Sequence, residues 1–118
     1  MSNLDFLHVR TALAASALGL LLATAPAAHG PRAAPKAATV VIAKFAFSPG
    51  VISVPAGASV TWTNKDDDAH SIVADGKAFR SAPLDTGDSY TFTFATLGTY
   101  AYRCGLHPQM VGKVVVTR

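Results

Sequence analysis

The chain is poor in charge, carries a single cysteine and contains no glutamate. Each shortage excludes something. With 14% charged residues and no Lys/Arg run interleaved with aromatics, the sequence lacks the footprint of a nucleic-acid binder. A lone Cys104 excludes an internal disulfide. Without glutamate, the adjacent Asp66, Asp67 and Asp68 lack the closing ligand of a calcium loop, and they lack its spaced Asp/Asn pattern too. They read as a solvated loop, the usual fate of a charge run. There is no internal repeat and no sustained helical period. At 118 residues the chain has room for one domain.

What is present begins with an export pattern. Met1 to Arg10 is a short polar start, and Thr11 to Ala25 is a continuous apolar run rich in Ala. That run is shorter than the ~20 apolar residues of a spanning helix. Ala25-Pro26-Ala27 places small residues at a cleavage site, so residues 1–27 are predicted to be a secretory signal peptide cut after Ala27. A cut after Ala25 would leave Pro26 next to the break, and an uncleaved anchor is the rival reading. Residues 28–38 (AHGPRAAPKAA) have no hydrophobic period and read as a tether, with His29 solvated in it. The net charge of +3 survives cleavage, because Asp5 and Arg10 leave together. The expected location is periplasmic or otherwise exported.

From Thr39 onward every signal is a strand signal. Thr39–Phe47 is β-branched and aromatic and ends at Ser48-Pro49-Gly50; Val51–Val54 follows, stopped by Pro55-Ala56-Gly57. Ser59–Asn64 alternates, with Val60 and Trp62 opposite Thr61 and Thr63, the period of a sheet with one wet face. His70–Ala74 reads as a short strand, and Asp75–Gly87 as an irregular stretch. Ser89–Phe94, Thr99–Cys104 and Gly112–Thr117 complete the set. Seven or eight short strands in residues 39–118 predict an all-β, Greek-key sandwich, here expected to be antiparallel. Trp62, Phe92, Phe94, Tyr100 and Tyr102 are read as core. Parity places Cys104 on the face of Tyr100 and Tyr102, so the thiol is expected to point into packed structure.

The chemistry concentrates in Tyr102-Arg-Cys-Gly-Leu-His-Pro-Gln-Met110. A thiol, an imidazole and a thioether stand three residues apart at Cys104, His107 and Met110. Soft sulfur with imidazole favours copper, and two histidines, one cysteine and a weak axial methionine make the pattern of a blue-copper site. Export strengthens the reading. An unpaired thiol in an oxidising compartment is a liability, an intermolecular bridge or a ligand, and a metal would occupy it. The second imidazole falls to His70, which opens a strand after a polar loop; His8 leaves with the signal peptide and His29 lies in the tether.

Phe45-Ala-Phe-Ser-Pro49, Ile52-Ser-Val-Pro-Ala-Gly57, Val60-Thr-Trp-Thr-Asn64, His70, Gly98-Thr-Tyr-Ala-Tyr-Arg-Cys104 to Met110 and Gly112-Lys-Val-Val-Val116 together resemble a small cupredoxin of the plastocyanin and azurin group. The tight Cys-x2-His-x2-Met loop is most similar to that of amicyanins. The resemblance implies one type 1 copper ion, with His70, Cys104 and His107 as strong equatorial ligands and Met110 as the weak axial one. Such sequences usually have Pro before the first ligand histidine and often Asn after it, where this chain has Ala69 and Ser71. That leaves open whether the Ser71 hydroxyl makes the link between ligand loops that Asn usually makes.

The resemblance further implies outer-sphere electron transfer between Cu(II) and Cu(I), with the Ser71 N–H among the groups tuning the sulfur. His107 would be the electron port, flanked by Leu106 and Pro108 where transient protein partners dock. Neither nucleic acid nor a small-molecule substrate is expected as a partner, and the chain is expected to be a monomer. Copper storage or delivery is the alternative. An enzyme is disfavoured, because a catalytic copper needs ligands that this chain does not have to spare.

Overall fold

The computed structural model describes residues 36–118 and, in isolation, Gly19. The predicted signal peptide, residues 28–35 of the predicted tether, His8 and His29 lie outside the described residues. Eight strands are present: β1 (Ala37–Ala43), β2 (Ala46–Ser48), β3 (Val51–Pro55), β4 (Ala58–Asn64), β5 (Val73–Ala74), β6 (Ser89–Phe94), β7 (Gly98–Arg103) and β8 (Val111–Thr117). They form two four-stranded sheets in the orders β2-β1-β4-β6 and β3-β8-β7-β5. Among the described residues there is no helix. The first strand begins at Ala37, two residues inside the segment read as a tether.

The all-β sandwich is as expected; a purely antiparallel one is not. β1 runs parallel to β4, and β3 parallel to β8, while the remaining pairs are antiparallel. The cause is the route of the chain. β3 leaves the first sheet for the second between β1 and β4, so β4 returns beside β1 in the same direction. Strand periodicity reports which face is buried and carries no information about direction.

Alternation is cleanest in β4. Ala58, Val60, Trp62 and Asn64 point inward and are buried. Ser59, Thr61 and Thr63 point outward and pair their hydroxyls with Thr93, Thr91 and Ser89 of β6 at 2.7, 2.7 and 2.8 Å. Trp62 is fully buried at the centre, with Phe79, Tyr90, Phe94 and Tyr102 around it at ring-centroid distances of 5.4–6.4 Å. Burying each such side chain contributes roughly 1.5–3 kcal/mol. Phe92 and Tyr100, also read as core, are half-buried and pack against it. Gly112 stands opposite Tyr102 in the β7–β8 register, and a Cβ there would overlap the tyrosine ring.

Two expectations change, and a third stretch gains a role. Thr39–Phe47 is not one strand: it folds back at Lys44 and Phe45, with Ala43 opposite Ala46. Both turn residues have positive φ, 53° and 56°, as this two-residue hairpin turn requires. His70–Ala74 is strand only over Val73–Ala74, because the N–H groups of Ser71 and Ile72 go to Cys104 Sγ and Ser81 Oγ rather than to a sheet. The irregular Asp75–Gly87 stretch supplies core: Phe79 and Leu84 are buried, and Leu84 bridges to His70.

Candidate metal centre

The centre is built from two sides. On one side, β7 delivers Cys104 one residue past its end. Tyr102 and Cys104 are buried and Tyr100 is half-buried, so the parity read from sequence holds. The loop that follows closes on itself: Cys104 N–H donates to Met110 O and Met110 N–H donates to His107 O, both at 2.9 Å. These two bonds fix His107 and Met110 relative to the thiol. Met110 is buried and His107 half-buried, while Leu106 and Pro108 are exposed on either side of the imidazole.

On the other side, His70 is fully buried. A pair of backbone bonds with Leu84 holds it, His70 N–H to Leu84 O at 3.1 Å and Leu84 N–H to His70 O at 2.6 Å. The preceding loop is pinned by Asn64. Its Nδ2 donates to Asp68 O and Leu84 O at 2.8 and 2.9 Å, and its Oδ1 accepts from Asp66 N–H at 2.9 Å. This network rigidifies the loop that has Ala69 where a proline is usual. Across the seam, Ser71 N–H donates to Cys104 Sγ at 3.4 Å, and Gly105 N–H donates to Ser71 Oγ at 2.9 Å. The serine hydroxyl does make the link between the two loops.

The donor atoms converge. One nitrogen each from His70 and His107 and the Cys104 sulfur all lie within 4.8 Å of one another. Both Nδ1 atoms are 3.7 Å from Sγ. With metal bonds of about 2.0 Å to nitrogen and about 2.3 Å to sulfur, a 3.7 Å separation subtends about 120° at a shared ion. That is the angle of a trigonal His2Cys set, so the residues fit a type 1 copper ion.

Two residues at the centre were not found from sequence. Asp66, assigned to a solvated loop, turns its carboxylate inward; Asp67 and Asp68 are exposed as expected. Its Oδ1 accepts from Lys44 N–H at 2.6 Å, and its Oδ2 accepts from Phe45 N–H at 2.9 Å. The same Oδ2 lies 2.9 Å from His70 Nε2. Donation from Phe45 N–H, with lesser help from Lys44 N–H and His70, holds the Asp66 carboxyl below its ordinary value against partial desolvation. Phe45, read as a strand residue, sits on the turn, and its ring stands edge-on to both imidazoles at centroid distances of 5.3 Å (His70) and 5.2 Å (His107). The one available signal was a carboxylate four positions before a ligand histidine; the turn it holds lies 21 and 22 residues away.

The model of the cupredoxin-like domain matches residues 12–116. Amicyanin-alpha of Methylorubrum extorquens is 37% identical over 117 residues, covering 86% of this chain and 94% of that one. A purple cupredoxin from Nitrosopumilus maritimus has a structure that superposes with a TM-score of 0.63 at 36% identity, over 68% of this chain and 99% of its own. An oxidised amicyanin variant superposes with a TM-score of 0.66 at 34% identity, over 70% of this chain and 83% of its own.

Proposed function

This chain belongs to the cupredoxin-like domain family, and on that premise we propose that it is an exported type 1 copper protein carrying single electrons between protein partners. His70, Cys104, His107 and Met110 would hold the copper ion. The observation that carries the reading is the equal 3.7 Å approach of two imidazole Nδ1 atoms to one buried thiol. Bound copper supplies the one-electron couple between Cu(II) and Cu(I). The protein supplies ligands that hardly move. Cys104 hangs from β7, His107 and Met110 are tied by the closed loop, and His70 is held between Leu84 and Asp66. Ser71 N–H, aimed at Sγ, draws charge from the sulfur and tunes the potential.

His107 is the proposed port. Exposed Phe45, Leu106 and Pro108 surround its half-buried ring, an apolar surface of the kind that supports brief docking. The similarity to amicyanins favours a carrier over an enzyme. We assign residues 1–27 to a signal peptide, 28–36 to a tether and 37–118, from the start of β1, to the copper domain, acting as a monomer in the periplasm or an equivalent exported location.

Electron self-exchange tests the carrier function. NMR line broadening in mixtures of the reduced and oxidised protein is expected to show exchange far faster than release of copper to a chelator. Copper passing to the chelator or to an apo-acceptor faster than electrons exchange would overturn it in favour of storage or delivery.

A further inference from the structure

We propose that Asp66 is a positioning residue for the metal centre: one carboxylate fixes the orientation of His70 and also holds the Lys44–Phe45 turn that sets Phe45 against both imidazoles. An ionised carboxylate can only accept hydrogen bonds. Its 2.9 Å contact with His70 Nε2 therefore places the ring proton on Nε2 and leaves the Nδ1 lone pair facing Cys104 Sγ. The histidine is thereby set to the ligating tautomer before any ion arrives.

Asp66 is itself held from every side. Asn64 Oδ1 accepts from its N–H at 2.9 Å, and Thr86 Oγ1 donates to its carbonyl at 2.6 Å. Its two oxygens take the N–H groups of Lys44 and Phe45. Those residues occupy the left-handed region with φ of 53° and 56°, in a turn type that favours Asn-Gly. The local sequence does not favour this turn, and the distant carboxylate supplies the missing acceptor. Loss of Asp66 would release both the His70 ring and the hairpin that packs Phe45 on the centre.

Because a merely structural cap would also destabilise the fold, the test separates the two roles. Asp66→Ala is made in a Lys44→Asn, Phe45→Gly background, whose Asn-Gly turn forms without the carboxylate. In the metal-free protein above neutral pH, ring 15N shifts are expected to show His70 as the Nε2–H tautomer in this background and as a tautomer mixture after Asp66→Ala. Asp66→Asn, whose carbonyl can accept the same proton, restores the single tautomer. The reduction potential of the copper-loaded protein is expected to rise in Asp66→Ala, since removing a negative charge beside His70 disfavours the more positive Cu(II). An unchanged tautomer and potential, with only the denaturation midpoint shifted, would overturn the proposal. The inference rests on the copper reading, but the metal-free tautomer measurement stands apart from it. A chain that failed to form a blue site would still report whether Asp66 orients His70.

Discussion

The two sides of the metal centre are built in opposite ways. The Cys104–Met110 side is one short loop closed by its own backbone bonds, and its three donor residues are spaced three apart along it. The His70 side is assembled from separate stretches: the Asn64–His70 loop, Leu84 in the following segment, and the Lys44–Phe45 turn. The first side carries its geometry locally. The second depends on contacts that exist only once the sandwich has formed. The two meet at a narrow seam, where Ser71 bonds to Cys104 Sγ and accepts from Gly105 N–H.

Substitutions on, between and beneath the two sides probe this difference. The largest effect is expected below both sides, at the fully buried Trp62. Trp62→Ala should cost about 3–5 kcal/mol in chemical denaturation of the metal-free protein and loosen both sides together, since the ring packs on Tyr102 of β7 and on Phe79. Next comes the seam. A Cβ at Gly105 would stand 2.6 Å from Ser71 Oγ and 3.1 Å from Val73 Cγ2. Gly105→Ala should therefore cost about 1–3 kcal/mol and alter the copper spectrum by forcing the two loops apart. Ser71→Ala removes the side-chain bond alone; a loss of about 1 kcal/mol is expected, with the Ser71 N–H contact to sulfur retained. An equal or larger loss than in Gly105→Ala would mean that the seam is held by the hydroxyl rather than by close packing.

The smallest effect concerns pH. Desolvation raises Tyr102 above its ordinary value, and Trp62 partly opposes this, although neither Tyr102 Oη nor Trp62 Nε1 has a partner at hydrogen-bond geometry. The unfolded chain then releases this proton first. The contribution is intact below about pH 10 and is lost as pH rises above it. Tyr90, raised mainly by desolvation, adds a contribution of the same sign. Denaturation midpoints of the metal-free protein should fall above pH 10, and Tyr102→Phe should flatten that slope.

The same contrast explains what could be read from the chain. The sandwich, the inward face of β4 and the direction of the Cys104 side chain were legible because a period-2 pattern states them residue by residue. The Cys104–Met110 donors were legible because one short stretch holds them at regular spacing, and His70 because few histidines compete for its place. Strand direction was not, since the β1–β4 and β3–β8 pairings depend on the chain's path between sheets. The Lys44–Phe45 turn was hidden because neither residue favours positive φ, and its acceptor, Asp66, lies in what reads as a charge run. Phe79 and Leu84 were hidden in a stretch whose turn residues outweigh its apolar ones.

The blue-copper proposal requires Cys104, His70 and His107 to hold one copper ion together. Visible and EPR spectra of the Cu(II)-loaded protein, beside a Cys104→Ser variant, test it most directly. An intense thiolate-to-copper band is expected in the wild type and is lost in the variant. A wild-type protein without that band, or a variant that keeps it, would overturn a copper–thiolate site at Cys104.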